Sequence, residues 1–354
     1  MLTPLFLLVA IAALGFLIVV HEGGHYFVAR WCKMRIERFS IGFGPGLLKR
    51  TSKKTGTTFQ LAPIPFGGFV EIRGMNIAED VDPDDTHAYP NRPVWQRFLT
   101  IFAGPATNYL SAIVIAMALY TCHGTDVKHW YGVGDVMKDY DAYGKLTPGD
   151  RIIAVNGAPL YLDSGPTLTE RVNQSDGAPI TLTLEHDGQE RKVEIKPKQD
   201  KDASGKPTWR IGVQYAPQYL TVKLGVLEAA KAAIVYPVDQ TRQIGRALYG
   251  IVFGSEKADP GGPIRMVEEF YRAFSAGTVY GIQLVMMLSV YLGLFNLLPI
   301  PALDGGRLVF LVYEMVTRRR ANPKIETMVH MAGIMALGVV MLVVLYIDIR
   351  RFLT

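Results

Sequence analysis

The sequence predicts a polytopic α-helical membrane protein of about four transmembrane helices, with an inserted β-rich domain and a membrane-associated β-hairpin. Three observations carry this reading of the 354 residues. Apolar residues make up 49% of the chain and gather into long runs, such as 5–20, 113–120 and 331–347, rather than spreading evenly. Basic residues cluster beside those runs. The remaining long stretch, residues 133–198, is mostly polar and alternates as short strands do. A net charge of +5 would suit a nucleic-acid binder, but Arg30, Lys33, Arg35, Arg38, Lys49, Arg50, Lys53 and Lys54 follow the first run. Arg318, Arg319, Arg320 and Lys324 precede the last. Such placement is a topology signal, so both loops are expected in the cytoplasm and no nucleic-acid partner is expected. Arg350 and Arg351 run weakly against this orientation.

Taken in order, the first membrane half covers 1–124, with spans near 4–29 and 98–121, each close to the length of a bilayer core. The first run carries no small-residue cleavage pattern before His21, so it is expected to persist as a span. Between the two spans, residues 57–72 alternate as a hairpin does, with Pro63, Pro65, Gly67 and Gly68 at the bend. Such a hairpin enters the bilayer only where protein or water covers its backbone. The β-rich insert is placed at 125–218, with strands at 180–185 and 191–196 around the turn His186-Asp187-Gly188. With the preceding loop inside, the insert falls outside the cytoplasm. Cys32 and Cys122 then lie on opposite sides of the membrane, as free thiols. Residues 219–279 have helical spacing but carry Glu228, Lys231, Asp239, Arg242 and Arg246, which suits a membrane-surface helix better than a span. The second membrane half, 280–354, holds spans at 280–298, with a continuation from about 306, and at 328–347.

The first span ends in Val20-His-Glu-Gly-Gly-His25. At about 100° per residue His21 and His25 share one helix face, with Glu22 beside them. Two imidazoles at this spacing can share a zinc ion, and the glutamate between them can act as a base. A chance match or a polar patch between helices is the alternative. Inside a span, however, three ionisable groups need a metal, a partner or water to compensate them. Asp304 is the candidate third ligand. It sits in Asn296-Leu-Leu-Pro-Ile-Pro-Ala-Leu-Asp-Gly-Gly-Arg307, which reads either as a plain turn or as a broken helix lining a cavity. His87, His123, His129 and His186 lack ligand spacing and read as solvated, and His330 reads as an interface residue.

With these motifs in place, the chain resembles the site-2 protease family of intramembrane zinc metalloproteases, in particular the bacterial branch that includes the regulator of sigma-E protease. The resemblance rests on His21 to His25, Leu303-Asp304-Gly305-Gly306, Phe66-Gly-Gly-Phe-Val70, Ala103-Gly-Pro-Ala-Thr-Asn108, Gly261-Gly-Pro263 and Asn296 to Pro301. It implies Zn2+ as cofactor, held by His21, His25 and Asp304, with Glu22 as catalytic base. It implies that Asn296 contacts substrate or stabilises the developing oxyanion, and the hairpin at Phe66, Gly67, Gly68 and Phe69 is expected to supply an edge strand that holds an unwound substrate segment. Gly134-Asp135-Val136 and residues 146–157 resemble the family's PDZ domains, with room for one domain where sigma-E-type enzymes can carry two.

The activity so implied is hydrolysis of peptide bonds within transmembrane segments of single-span membrane proteins, as in regulated intramembrane proteolysis of anti-sigma factors or signal-peptide remnants. The implied setting is a bacterial cytoplasmic (inner) membrane, among membrane lipid, with the PDZ-like domain outside the cytoplasm. The alternative is a non-catalytic receptor or scaffold that binds extracytoplasmic peptides through the PDZ domain. An intact Glu22 between correctly spaced histidines favours the enzyme, because a structural metal site needs no base.

Overall fold

A computed structural model describes residues 4–76, 79–160, 165–201, 206–254 and 261–353. The chain divides into two compact units, one formed by Met1–Thr121 with Gly225–Thr354 and the other by Cys122–Leu224.

The first unit begins with helix α1 (Pro4–Trp31), followed by strands β1 (Ile36–Phe43), β2 (Leu48–Thr51), β3 (Thr58–Leu61) and β4 (Ile64–Ile72), then helix α2 (Val94–Cys122). In the second unit lie β5 (Thr125–Val136), β6 (Arg151–Val155), β7 (Ala158–Pro159), α3 (Leu168–Gln174), β8 (Ile180–His186), β9 (Gln189–Ile195), β10 (Lys198–Lys201), β11 (Pro207–Arg210) and β12 (Val213–Val222). The chain returns to the first unit through α4 (Val226–Val252), α5 (Pro263–Ala276), α6 (Thr278–Leu297), α7 (Asp304–Thr317) and α8 (Pro323–Leu353).

Among the described residues, four helices are long and apolar enough to cross a membrane: Leu8–Trp31, Val94–Cys122, Thr278–Leu297 and Pro323–Arg351. They correspond to the four expected spans. The third ends at Leu297, before the Pro-rich stretch, because Pro299 and Pro301 cannot continue the amide ladder. Helix α7 then restarts at Asp304. No residue in the apolar window of α8 is buried by protein, so that surface is suited to lipid.

Helices α1 and α2 cross closely. A Cβ on Gly24 would overlap the Ala103 carbonyl and the Thr107 hydroxyl of α2, and glycine is what permits the approach. The Thr107 hydroxyl, 2.9 Å from the Val20 carbonyl, ties the same crossing. A buried ion pair, Arg97 with Glu314 at 2.5 Å, joins α2 to α7. Further along α2, Ser111 shares a hydrogen bond of 2.6 Å with Ser289 of α6.

The expected hairpin over 57–72 is corrected by the strand order β2-β3-β1-β4. The chain does reverse at Ala62 and Pro63, but its two arms do not pair. Strand β1 lies between them, parallel to β3 and antiparallel to β4. Side chains buried between strands explain the insertion: Gln60 of β3 donates to the Ser40 hydroxyl of β1 at 2.9 Å, so β3 uses β1 as its partner. Strand β4 therefore ends the sheet, and its outer edge has no strand partner among the described residues.

The second unit is built on a sheet of order β12-β5-β6-β8-β9, with β7 beside β6. Its core is a cluster of apolar side chains that includes Ile152, Leu160, Leu168, Ile180, Leu182, Leu184 and Ile195. Strand pairing extends outward to Thr125 and Val222, beyond the alternating stretch 133–198. The short α3 starts at a capping box in which Thr167 and Glu170 satisfy each other's backbone amides.

Candidate metal centre

Helix α1 brings His21, Glu22 and His25 to one level, where each is no more than 9% exposed. Asp304 arrives from the first residue of α7, after a loop whose Ala302 adopts a left-handed φ of 80°. The Asp304 Oδ2 lies 3.2 Å from His21 Nε2 and 3.3 Å from His25 Nε2, and the two Nε2 atoms are 3.3 Å apart. Two residues from an i, i+4 pair and one residue nearly three hundred positions later thus present three donor atoms at the corners of a small triangle.

That triangle fits a metal. Ligands about 2.0 Å from a tetrahedral zinc stand about 3.3 Å from one another, which is the spacing found. The Asp304 Oδ2 is buried and faces the two imidazole nitrogens, as expected of an oxygen that shares a cation with them. Two imidazoles and one carboxylate leave a fourth tetrahedral position open, the donor set of a catalytic rather than a structural zinc site.

The surroundings orient the ligands. Helix α2 packs so closely that a Cβ at Gly104 would overlap the His25 ring. The His25 Nδ1–H donates to the Thr100 carbonyl at 2.8 Å, which leaves Nε2 with its lone pair toward the centre. His21 Nδ1 is 3.0 Å from the Asn108 amide nitrogen. The loop before Asp304 is steadied by His330 of α8, whose Nδ1 accepts from the Ala302 backbone N–H at 3.2 Å. His330 is an interface residue, as its position in the sequence suggests.

Glu22 lies beside the triangle on the β4 side. Its carboxylate is within reach of the Val70 backbone, and a Cβ added to Gly68 would come 3.1 Å from Glu22 Cγ. Of the residues expected to touch substrate, Gly68 is thus next to the base, Gly67 has a φ of 145°, and Phe69 stacks on Phe43 with centroids 6.4 Å apart. The side chain of Phe66 lies outside the described part of the structure. Asn296 is half-buried near the end of α6 and forms no hydrogen bond among the described residues.

The sequence reading missed the orienting contacts of Thr100, Asn108 and His330. The available signal was a Gly-Pro pair inside an apolar span: Pro105 stands within α2, and nothing in a lipid-facing helix calls for it. His186 is exposed, as expected of a turn residue, and its Nδ1 lies 2.9 Å from Asp150 in the second unit.

A buried His-His-carboxylate set with an adjacent glutamate, inside a unit whose helices are apolar on the outside, defines a membrane-embedded metalloprotease. The profile of peptidase family M50 matches residues 9–341, nearly the whole chain. The chain belongs to this family, the site-2 protease family of zinc metalloproteases. It is 32% identical over 353 residues to a Rickettsia conorii protein named "putative zinc metalloprotease", covering 96% of this chain and 97% of that one. A Mesorhizobium japonicum protein of the same name is 33% identical over 341 residues, covering 90% and 91%. Among solved structures, the PDZ domain of an SdrC-like protein from Listeria monocytogenes aligns with 25% of this chain and 90% of that one, at 21% identity and a TM-score of 0.22.

Proposed function

We propose that the chain is an intramembrane protease that hydrolyses peptide bonds within transmembrane segments of single-span membrane proteins, with zinc held by His21, His25 and Asp304. The observation that carries the reading is the position of this triangle: its histidines lie on a helix long and apolar enough to span a membrane. A soluble substrate has no reason to be cut at such a site.

Zinc bound there would supply Lewis acidity toward the scissile carbonyl and the attacking water. Glu22 takes a proton from that water as the new C–O bond forms, then delivers it to the amine nitrogen as the C–N bond breaks. A substrate helix has its carbonyls engaged four residues along the chain, so it must unwind before attack. The outer edge of β4, which passes Glu22 at Gly68 and Val70, offers backbone donors and acceptors to the unwound segment. Phe66, Gly67, Gly68 and Phe69 are the residues of this docking strand. Asn296, near the end of α6, is assigned to substrate contact.

In this reading the basic loops lie in the cytoplasm of a bacterial cell and the protein resides in the inner membrane. The β-rich unit, resembling a PDZ domain, stands outside the cytoplasm and gates access by substrates with bulky outer domains. Anti-sigma factors and signal-peptide remnants are substrates of the right form. The test is cleavage of a reporter single-span protein co-reconstituted in liposomes, with the cut bond located by mass spectrometry. A cut inside the apolar segment, abolished by a zinc chelator, is expected. Cuts only outside that segment, or none, would overturn the proposal.

A further inference from the structure

Among the motifs quoted in the sequence, Ala103 to Asn108 gains no catalytic role from the chemistry above. Its last residue is nonetheless wholly buried, and its amide has one hydrogen-bond partner, the Nδ1 of His21. The Asn108 Oδ1 is buried and has no hydrogen-bond partner among the described residues. A buried primary amide satisfied at only one atom is a costly placement, so the one contact it makes calls for a reason.

An imidazole offers a metal one nitrogen only when the other carries the proton. For His25 the choice is made by the Thr100 carbonyl, which can only accept. For His21 the neighbour is an amide, and an amide can present either its nitrogen or its oxygen within the same volume by a half-turn. With the nitrogen facing Nδ1, the His21 proton sits on Nε2 and points at Asp304 Oδ2, 3.2 Å away. That arrangement closes the triangle upon itself. With the oxygen facing Nδ1, the proton moves to Nδ1 and the Nε2 lone pair faces the centre.

We infer that Asn108 is the positioning residue that selects the tautomer of His21, and that it presents its carbonyl oxygen to Nδ1–H when the metal is held. The inference rests on the zinc reading of His21, His25 and Asp304. The fold keeps Asn108 in place for this task. Its backbone carbonyl lies 3.0 Å from the Ser289 hydroxyl of α6 and 2.9 Å from the Ser111 hydroxyl; one of the two donates to it and the other donates to its fellow serine, so α2 and α6 are pinned at this residue. One centre thus has two kinds of orienting group, a fixed carbonyl for His25 and a reversible amide for His21.

The test compares zinc affinity of the full chain in detergent for wild type, His21→Ala, Asn108→Leu and Asn108→Asp, by competition with a chromogenic chelator. Leucine has about the right volume but no acceptor, whereas aspartate can only accept. Asn108→Leu is expected to bind zinc about 10- to 100-fold more weakly, the usual cost of losing an outer contact to a ligand, while Asn108→Asp keeps wild-type affinity. A packing role predicts the reverse, because leucine fills the space and aspartate buries a charge. Zinc affinity of Asn108→Leu equal to wild type, or of Asn108→Asp as weak as His21→Ala, would overturn the inference.

Should the leucine variant fail to fold, ¹⁵N-histidine NMR of zinc-loaded wild type and Asn108→Asp decides. A His21 Nδ1–H resonance that moves downfield against the stronger acceptor is expected, and an unmoved resonance contradicts it. If wild type and His21→Ala bind zinc alike, the ligand assignment itself fails. If His21→Ala loses zinc and Asn108→Leu does not, only the role of Asn108 is lost.

Discussion

The two units of this chain solve opposite problems with the same twenty side chains. In the β-rich unit the interior is built on Ile152, Leu160, Ile180, Leu182 and Leu184, with Asp150 buried against Arg191 beside them. In the helical unit apolar residues also cover the outside, Leu342, Val339 and Met335 of α8 among them, while His21, Glu22, His25, Thr100, Asn108 and Ser289 are buried. Water drives the first arrangement through the hydrophobic effect. Lipid gives apolar residues no reason to go inside, so polar groups gather where they can satisfy one another. The reactive centre lies in the second kind of interior, where an uncompensated charge costs about 3 kcal/mol or more.

The contrast predicts that one substitution type has opposite outcomes in the two units. The largest effect is expected for buried carboxylates. Asp304→Ala should weaken zinc binding beyond the roughly 10- to 100-fold that loss of an outer contact causes, and abolish cleavage with it. Asp187→Ala, at a side chain 97% exposed in the β-rich unit, should change neither. Equal zinc affinity in all three proteins would return Asp304 to an ordinary turn aspartate.

Leucine sharpens the comparison next. Leu182→Ala empties a fully buried position of the β-rich core and should destabilise that unit by about 2–5 kcal/mol, while zinc affinity is unchanged. Leu342→Ala, at a residue 68% exposed on α8, should stay within about 0.5 kcal/mol in detergent. Thermal unfolding followed separately by near-UV circular dichroism and by zinc release would read both.

A smaller, pH-dependent effect concerns Asp150, a carboxylate buried in the β-rich unit. Burial alone would raise its pKa, but the Thr147 amide at 2.8 Å and the Arg191 guanidinium at 2.5 Å outweigh it and hold the carboxyl below the usual range. A depressed folded-state pKa means that the stabilisation is present above the unfolded value of about 3.9 and is lost as pH falls below it. Asp150→Asn should therefore cost about 2 kcal/mol at neutral pH and flatten the acid-side decline of stability. An unchanged acid profile would assign that decline to other groups.

How much of this was legible in the sequence depends on how local each feature is. His21, Glu22 and His25 are fixed by one turn of one helix, so their spacing alone announced the centre. Asp304 was legible because a proline-broken stretch inside an apolar region is costly without a purpose. Thr100 and Asn108 reach the centre from α2, across a helix crossing that no periodicity encodes. The insertion of β1 between the arms of the reversal at Ala62 and Pro63 was hidden for the same reason: alternation identifies a strand but not its partner. The β-rich insert starts at Thr125 as expected, while β12 runs on to Val222, past the expected end at 218, because the polar alternation there fades into membrane-flanking sequence.

The central claim is that the helical unit holds a zinc centre in which Glu22 is base and not ligand. Zinc content and cleavage of a reporter span, measured together for wild type and Glu22→Gln, test it most directly. The account predicts that Glu22→Gln retains zinc at the wild-type level while cleavage falls about 10²- to 10⁴-fold, the range expected for loss of a general base. Loss of zinc from Glu22→Gln, or cleavage at the wild-type rate, would contradict it.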